Sequence, residues 1–124
     1  MDKTKKVLIA EDNTSLREAY IFSIEINSPS AIIDAVGTYK ELIEKAKSNK
    51  YNLIITDYVM EPGTNGIEAI TEIREFDKKT PICMISGSMK SKEALENGAT
   101  YYIEKSTSTF TKDLENLINK YLVS

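Results

Sequence analysis

The chain has 124 residues, of which 41% are apolar and 28% are charged, and its net charge is −3. This length suits one domain with a single core, and the composition is that of an ordinary soluble globular protein. The mild negative charge, with lysines interleaved among acidic residues, argues against nucleic-acid binding. The absence of histidine excludes catalysis by an imidazole group and metal sites that use histidine as a ligand.

The apolar segments are too short to cross a membrane. The longest, Ala19–Ile26, is interrupted by Ser23 and Glu25, whereas a span needs about 20 apolar residues. No N-terminal stretch has the pattern of a signal peptide, so we expect a cytoplasmic protein without membrane contact. The single cysteine, Cys83, lies in an apolar run and is predicted to be an inert buried thiol.

Five short apolar runs alternate with segments of helical periodicity. The predicted strands are Val7–Ala10, Ala31–Asp34, Leu53–Thr56, Ile82–Ser86 and Tyr101–Glu104. The first, third and fourth are almost entirely apolar, which indicates strands covered on both faces. This alternation with short connections predicts right-handed βαβ units and a parallel sheet, that is, an α/β fold.

The helical segments carry start signals and apolar faces. Asn13 or Thr14 can cap the first helix, and Gly37 or Thr38 precedes the second. The residues predicted on buried faces are Leu16, Ala19, Tyr20 and Ile24 in the first helix, Leu42, Ile43 and Ala46 in the second, Ile67, Ile70 and Ile73 in the third, and Phe110, Leu114, Leu117, Ile118, Tyr121 and Leu122 in the fifth.

The last two helices differ in strength. The fourth, around residues 90–97, is short, and Gly98 is its natural stop. The fifth has the clearest helical period, and Thr107–Thr109 can supply its cap.

Acidic side chains follow two strands at their C-terminal ends. Glu11 and Asp12 follow the first strand, and Asp57 follows the third. In parallel α/β sheets this edge carries the binding site, and three carboxylates there are costly unless a cation or a reaction needs them. The alternatives are turn formation by Asp57 and a helix start favoured by the acids Glu11 and Asp12.

Five separated motifs together resemble one known family. They are Val7–Asn13 with its acidic pair, Leu53–Asp57 with Met60, Pro81–Ser86, Gly98-Ala99 with Tyr102, and Lys105. Over essentially its whole length the chain resembles a receiver domain of two-component response regulators, of the chemotaxis-regulator type. The resemblance implies one receiver domain over residues 1–124 without an output domain. It also implies a flavodoxin-like, doubly wound sheet of order 2-1-3-4-5 with five helices.

The resemblance assigns a phosphoacceptor and a metal site. Asp57 would be the nucleophile that accepts a phosphoryl group. A hard cation, Mg²⁺ or Mn²⁺, would offset the repulsion between the carboxylate and the phosphoryl group. Its ligands would be the side chains of Glu11, Asp12 and Asp57 and the backbone C=O of Val59.

Three further residues would bind the phosphoryl group or respond to it. Lys105 would supply a positive charge to the phosphoryl oxygens, and Ser86 would donate a hydroxyl hydrogen bond. Tyr102 would fill the space that Ser86 leaves on phosphorylation. Taken singly, Lys105 could be a solvated lysine, Ser86 a loop residue and Tyr102 core filling.

The implied protein is a signalling switch and not an enzyme, apart from catalysing its own phosphorylation and dephosphorylation. A sensor histidine kinase or a histidine phosphotransfer protein would donate the phosphoryl group, and a downstream protein would bind the switched surface. The alternative is a phosphorylation-independent binding or dimerisation module, including a homodimer through helices four and five. A nucleotide or flavin binder would want a phosphate loop after the first strand, and a dehalogenase-type phosphatase would want an aspartate at Val59.

The sequence departs from the family pattern at four places. They are Glu11 in place of the commoner aspartate, Glu61 between Met60 and Pro62, Ser106 in place of proline after Lys105, and a segment from Ser86 to Gly98 that is roughly three residues, nearly one helical turn, shorter than usual. These predict a modestly altered metal site, a longer turn after the nucleophile and a stunted fourth helix. We expect a trans Lys–Ser bond, because a cis bond would cost about 3 kcal/mol.

Overall fold

The computed structural model describes residues 4–60, 65–87 and 89–123. The strands are β1 Lys6–Ala10, β2 Ile32–Val36, β3 Leu53–Asp57, β4 Ile82–Ser86 and β5 Tyr101–Glu104. The helices are α1 Thr14–Asn27, α2 Tyr39–Ser48, α3 Gly66–Arg74, α4 Ser91–Glu96 and α5 Phe110–Leu122. The strands form one parallel sheet of order β2-β1-β3-β4-β5. The predicted flavodoxin-like α/β fold is therefore confirmed.

The side chains of the three central strands, β1, β3 and β4, alternate between two separate hydrophobic cores, one on each face of the sheet. One core contains Leu8, Ile54 and Met84 of the sheet with Leu42 of α2 and Ile70 of α3. The other contains Val7, Ile55 and Cys83 of the sheet with Ile24 of α1 and Ile118 of α5. Burial on both faces explains why these strands are apolar throughout. It also confirms that the Cys83 thiol is buried, and this burial raises its pKa to about 12.

The edge strand β2 and helix α1 differ from the prediction. The predicted strand Ala31–Asp34 is wrong by up to two residues, because parallel pairing with β1 sets Ile32–Val36 as the strand. The predicted buried face of α1 is correct for Tyr20 and Ile24, whereas Leu16 and Ala19 are exposed. The buried residues of α1 begin at Tyr20, in the middle of the helix, and the centre of its ring lies 6.3 Å from that of Phe110.

Side chains cap the first two helices as expected. The Asn13 side chain accepts a hydrogen bond from the Leu16 N–H, and Thr38 accepts one from the Glu41 N–H. The predicted threonine occupies the N-cap position of α5, but its side chain makes no capping hydrogen bond. This threonine is Thr109, whose hydroxyl donates to the Asp113 carboxylate at 3.0 Å and leaves the helix N–H groups uncapped by side chains.

The fourth helix is short, as predicted, with six residues and no side-chain cap. Gly98 ends this segment with a φ of 114°, a conformation that L side chains rarely adopt. A Cβ at Gly98 would also lie 2.7 Å from the Arg74 side chain. In the described part of the chain, no helix is long and apolar enough to cross a membrane.

Candidate functional site

Strand register brings the first two predicted site residues together. Ala10 of β1 lies beside Thr56 of β3, so the residues that follow them in the chain, Glu11 and Asp57, emerge at the same point of the sheet edge. Both side chains are buried, with Asp57 only 6% exposed. The Glu11 carboxylate accepts a hydrogen bond from the backbone N–H of Asn13 at 3.2 Å. Two acidic groups therefore share one buried pocket.

Lys105 supplies the positive charge of this pocket. Its Nζ lies 2.9 Å from Asp57 Oδ1 and 3.7 Å from Glu11 Oε1. The Lys105 backbone N–H donates to the Ser86 carbonyl at 2.9 Å, which fixes the end of β5 beside the end of β4. No peptide bond among the described residues is cis, so the expected trans Lys105–Ser106 bond is confirmed. With this bond trans, the Lys105 ammonium is in direct contact with Asp57.

The pocket holds more negative charge than one lysine offsets. Burial, and then the charge of Asp57, raise the pKa of Glu11 from its ordinary 4.5 to about 7. Burial also raises the pKa of Asp57, although contact with Lys105 acts in the opposite direction. Two carboxylates this close do not ionise independently, so the pocket favours a shared proton or a cation.

The buried carboxylate oxygens of this pocket suit a cation. Glu11 Oε1 and Asp57 Oδ1 are both buried, and their positive neighbour is the Lys105 ammonium, which lies 3.7 Å from the first and 2.9 Å from the second. Asp12 is exposed beside them, and across the described residues no three His, Cys, Asp or Glu side chains are gathered as a preformed metal site. Oxygen ligands of this kind suit a hard divalent ion. The carboxylates of Glu11 and Asp57 thus fit a magnesium site, and the neighbouring Asp12 is exposed to solvent.

The turn that follows Asp57 is held by Tyr39 and Gly66, whose contacts with this backbone sequence reasoning did not predict. The Tyr39 hydroxyl lies 2.7 Å from the carbonyl oxygens of both Asp57 and Tyr58. The Gly66 N–H donates to the Tyr58 carbonyl at 2.7 Å, and a Cβ at Gly66 would lie 2.5 Å from the Asp57 carbonyl oxygen. The turn glycine at the start of α3 was a usable signal, whereas nothing in the local sequence marks Tyr39.

The remaining predicted site residue in this turn is Val59. Its side chain is 65% exposed, and its backbone pairs with Asn65 in an isolated bridge. The predicted extra length of the turn rests on Glu61 and Pro62, which lie outside the described residues. The side chain of Val59 is therefore directed to solvent, and its role as a backbone ligand stays a prediction.

Ser86 and Tyr102 lie on the side of the pocket towards α4. Ser86 is buried at the end of β4. Tyr102 is half-buried, and its hydroxyl accepts a hydrogen bond from the Lys90 N–H at 3.2 Å. The Lys90 ammonium lies 5.4 Å from the centre of the Tyr58 ring. Tyr58, which follows β3, and Tyr102 of β5 thus both contact Lys90, the residue that precedes α4.

Known proteins match this chain along almost its full length. The family described as Response regulator receiver domain matches residues 7–119. A protein-glutamate methylesterase/protein-glutamine glutaminase of Methanococcus maripaludis is 31% identical over 94% of the chain and 33% of its own length. The response regulator protein VraR of Staphylococcus aureus is 31% identical over 94% of the chain and 56% of its own length. The chain spans between a third and about half of these curated relatives.

Solved structures share the whole architecture. The chemotaxis response regulator CheY4 of Vibrio cholerae superimposes with a TM-score of 0.82 at 24% identity, over 97% of this chain and all of that one. The response regulator protein TrrA of Thermotoga maritima, solved in complex with Mg(2+)-BeF, gives a TM-score of 0.77 at 28% identity, over 96% of this chain and 100% of that chain. The family match, the strand order and the full-length structural likeness agree. The chain belongs to the response regulator receiver domain family.

Proposed function

We propose that Asp57 of this receiver domain accepts a phosphoryl group. The observation that carries the proposal is the contact between Lys105 Nζ and Asp57 Oδ1, 2.9 Å long and inside a buried acidic pocket. A carboxylate oxygen of Asp57 would form a bond to phosphorus while the bond from phosphorus to the donor's nitrogen breaks. The nitrogen belongs to the donor, because this chain has no histidine.

A divalent cation, Mg²⁺ or Mn²⁺, would occupy the same pocket. Glu11 and Asp57 would bind it with their carboxylates, with Asp12 from the solvent side and the Val59 backbone C=O completing the protein ligands. When bound, the ion supplies positive charge that offsets the repulsion between the Asp57 carboxylate and the phosphoryl oxygens. Support comes from the two buried carboxylates of Glu11 and Asp57, which share a single lysine, and from the Mg(2+)-BeF complex of TrrA.

The protein residues around the pocket would bind and read the phosphoryl group. Lys105 would hold one phosphoryl oxygen by charge, and Ser86 would donate its hydroxyl to another. Movement of Ser86 would then be transmitted to Tyr102, whose hydroxyl already bonds to the residue before α4. A change at Tyr102 would thereby alter the surface formed by α4, β5 and α5.

The expected partners follow from this chemistry. The donor would be a sensor histidine kinase or a histidine phosphotransfer protein, and the reader would be a downstream protein that binds the altered surface. The domain would act as a switch in the cytoplasm, and its only catalysis would be its own phosphorylation and dephosphorylation. Neither a membrane nor nucleic acid is needed as a direct partner.

The test is incubation with Mg²⁺ and acetyl phosphate, followed by intact-mass measurement and peptide mapping. We expect one phosphoryl group on the peptide that contains Asp57 and none in Asp57→Asn. Asp34→Asn is the matched control, because Asp34 lies on edge strand β2 and contacts Lys6 and Tyr51 instead of the pocket. Absence of phosphoryl transfer from acetyl phosphate and from phosphoramidate would favour the phosphorylation-independent binding module.

A further inference from the structure

Tyr39 contacts the backbone of the site although it belongs to a different element. It is the first residue of α2, and its side chain is 2% exposed. Its hydroxyl lies 2.7 Å from the Asp57 carbonyl oxygen and 2.7 Å from that of Tyr58. A tyrosine hydroxyl has one proton, so it donates a single, shared hydrogen bond to both acceptors.

The same two carbonyl groups are held from other directions. The Tyr58 carbonyl also accepts from the Gly66 N–H at 2.7 Å, and the Asp57 carbonyl accepts from the Thr56 hydroxyl at 3.2 Å. The start of α2 is fixed in turn by the Thr38 cap, which accepts a hydrogen bond from the Glu41 N–H at 3.1 Å. The capped start of α2 therefore holds Tyr39 against the turn that follows Asp57.

Peptide geometry transmits this contact to Val59. The Tyr58 carbonyl and the Val59 nitrogen belong to one planar peptide group, so holding the carbonyl fixes the plane from which Val59 begins. The direction of the Val59 carbonyl relative to this plane then depends only on the two backbone dihedral angles of Val59, φ and ψ. The Tyr39 hydroxyl thus limits the directions in which the predicted backbone ligand can point.

We propose that Tyr39 is a positioning residue for the magnesium site. By holding the Asp57–Tyr58 backbone, its hydroxyl presents the Val59 carbonyl to the cation together with the Asp57 carboxylate. The inference rests on the proposed function, because that function assigns the ion to this pocket. Partners one step removed from a metal typically change its affinity by about 10- to 100-fold when they are lost.

The test is the change Tyr39→Phe, which removes the hydroxyl and keeps the buried ring. Tyr51→Phe is the matched control, because the Tyr51 hydroxyl also makes a 2.7 Å hydrogen bond, to Asp34, and Tyr51 precedes the opposite end of β3. Magnesium binding to the unphosphorylated proteins is measured by calorimetry, and stability by urea unfolding. We expect Tyr39→Phe to bind Mg²⁺ about tenfold more weakly, whereas Tyr51→Phe loses stability at unchanged affinity.

Equal magnesium affinities of Tyr39→Phe and the wild type would overturn the inference and leave Tyr39 with a purely structural role. If Tyr39→Phe does not fold, the wild type is used with labelled tyrosine. Added Mg²⁺ should then shift the Cζ resonance of Tyr39 and leave that of Tyr51 in place, and an unmoved Tyr39 would overturn the inference. A wild type that neither binds Mg²⁺ nor accepts phosphoryl would contradict the proposed function as well. A wild type that does both, beside an unaffected Tyr39→Phe, would contradict only the role of Tyr39.

Discussion

The pocket around Asp57 and the segment that forms α4 are built by opposite means. The pocket lies at the ends of the buried strands β1, β3 and β4, and its buried carboxylates, Glu11 and Asp57, lie beside the partly exposed Lys105. The α4 segment is a six-residue helix without a side-chain cap, flanked by Met89, which is 88% exposed. The comparison teaches that the proposed phosphoacceptor site is fixed by the sheet, whereas the proposed responding segment is a short, uncapped helix, which we expect to open at a lower free-energy cost.

The largest expected effect comes from removing the positive charge of the pocket. Lys105→Met deletes the contact to Asp57 Oδ1 and leaves the carboxylates of Glu11 and Asp57 facing each other. We expect the rate of phosphorylation by acetyl phosphate to fall about 100-fold, as for the loss of one preorganised charge partner. Timed intact-mass measurement gives the rate, with Lys120→Met on the exposed face of α5 as control. An unchanged rate in Lys105→Met would remove Lys105 from the mechanism.

The second effect concerns pH and the stability of the metal-free pocket. The folded pKa of Glu11, about 7, exceeds its ordinary 4.5, so folding favours the protonated form. Stability is therefore complete below 4.5 and is lost as pH rises to about 7, and the raised pKa of Asp57 acts in the same direction. Urea unfolding in EDTA should show a loss on the order of 2 kcal/mol from acid to neutral pH.

Glu11→Gln sharpens this pH prediction. Glutamine stays neutral, so the decline should shrink to the share of Asp57. The lowered pKa of Asp77 does not interfere, because its contribution is lost only below the ordinary value of 3.8. An equal loss of stability with rising pH in Glu11→Gln would show that this loss arises from groups other than Glu11.

A smaller effect is expected where the pocket meets α4. Tyr102→Phe removes the hydroxyl that accepts from the Lys90 N–H at 3.2 Å. The lost hydrogen bond is worth about 1 kcal/mol, so hydrogen exchange of the Lys90 amide and of α4 should quicken by roughly five- to tenfold. Phosphorylation should proceed at the wild-type rate. A slower phosphorylation, or unchanged exchange in α4, would contradict the separation of the two regions.

The smallest effect concerns the length of the first acidic side chain. Glu11→Asp restores the commoner family residue and shortens the side chain by one methylene. In the wild type, Glu11 Oε1 lies 3.7 Å from Lys105 Nζ, and the shorter side chain withdraws the carboxylate from this ammonium. We expect magnesium affinity in calorimetry to change by only a few-fold, about 1 kcal/mol or less. Loss of binding in Glu11→Asp would show that the pocket depends on the longer side chain.

The central strands and the pocket were predictable for one physical reason. β1, β3 and β4 are buried on both faces, so nearly every position in them is apolar. The polar residues at the ends of these apolar runs are therefore easy to recognise in the sequence. The position of Glu11 beside Asp57 follows from parallel pairing of those runs. The trans bond after Lys105 followed from the cost of the cis form.

The features that escaped prediction depend on contacts between distant segments. The bounds of β2 are set by its pairing with β1, and the exposed Leu16 of α1 depends on where that helix meets α5. Tyr39 reaches Asp57 across 18 positions of sequence, and no local pattern encodes that distance. The exposed position of Asp12 likewise depends on how the chain leaves β1.

The central claim is that Asp57 takes up a phosphoryl group in the pocket closed by Lys105. Peptide mapping of the protein after reaction with acetyl phosphate and Mg²⁺ tests it most directly. The account predicts one phosphoryl group, on Asp57, that disappears in Asp57→Asn and is retained in Asp34→Asn. Phosphoryl transfer to another residue, or an equal yield in Asp57→Asn, would contradict it.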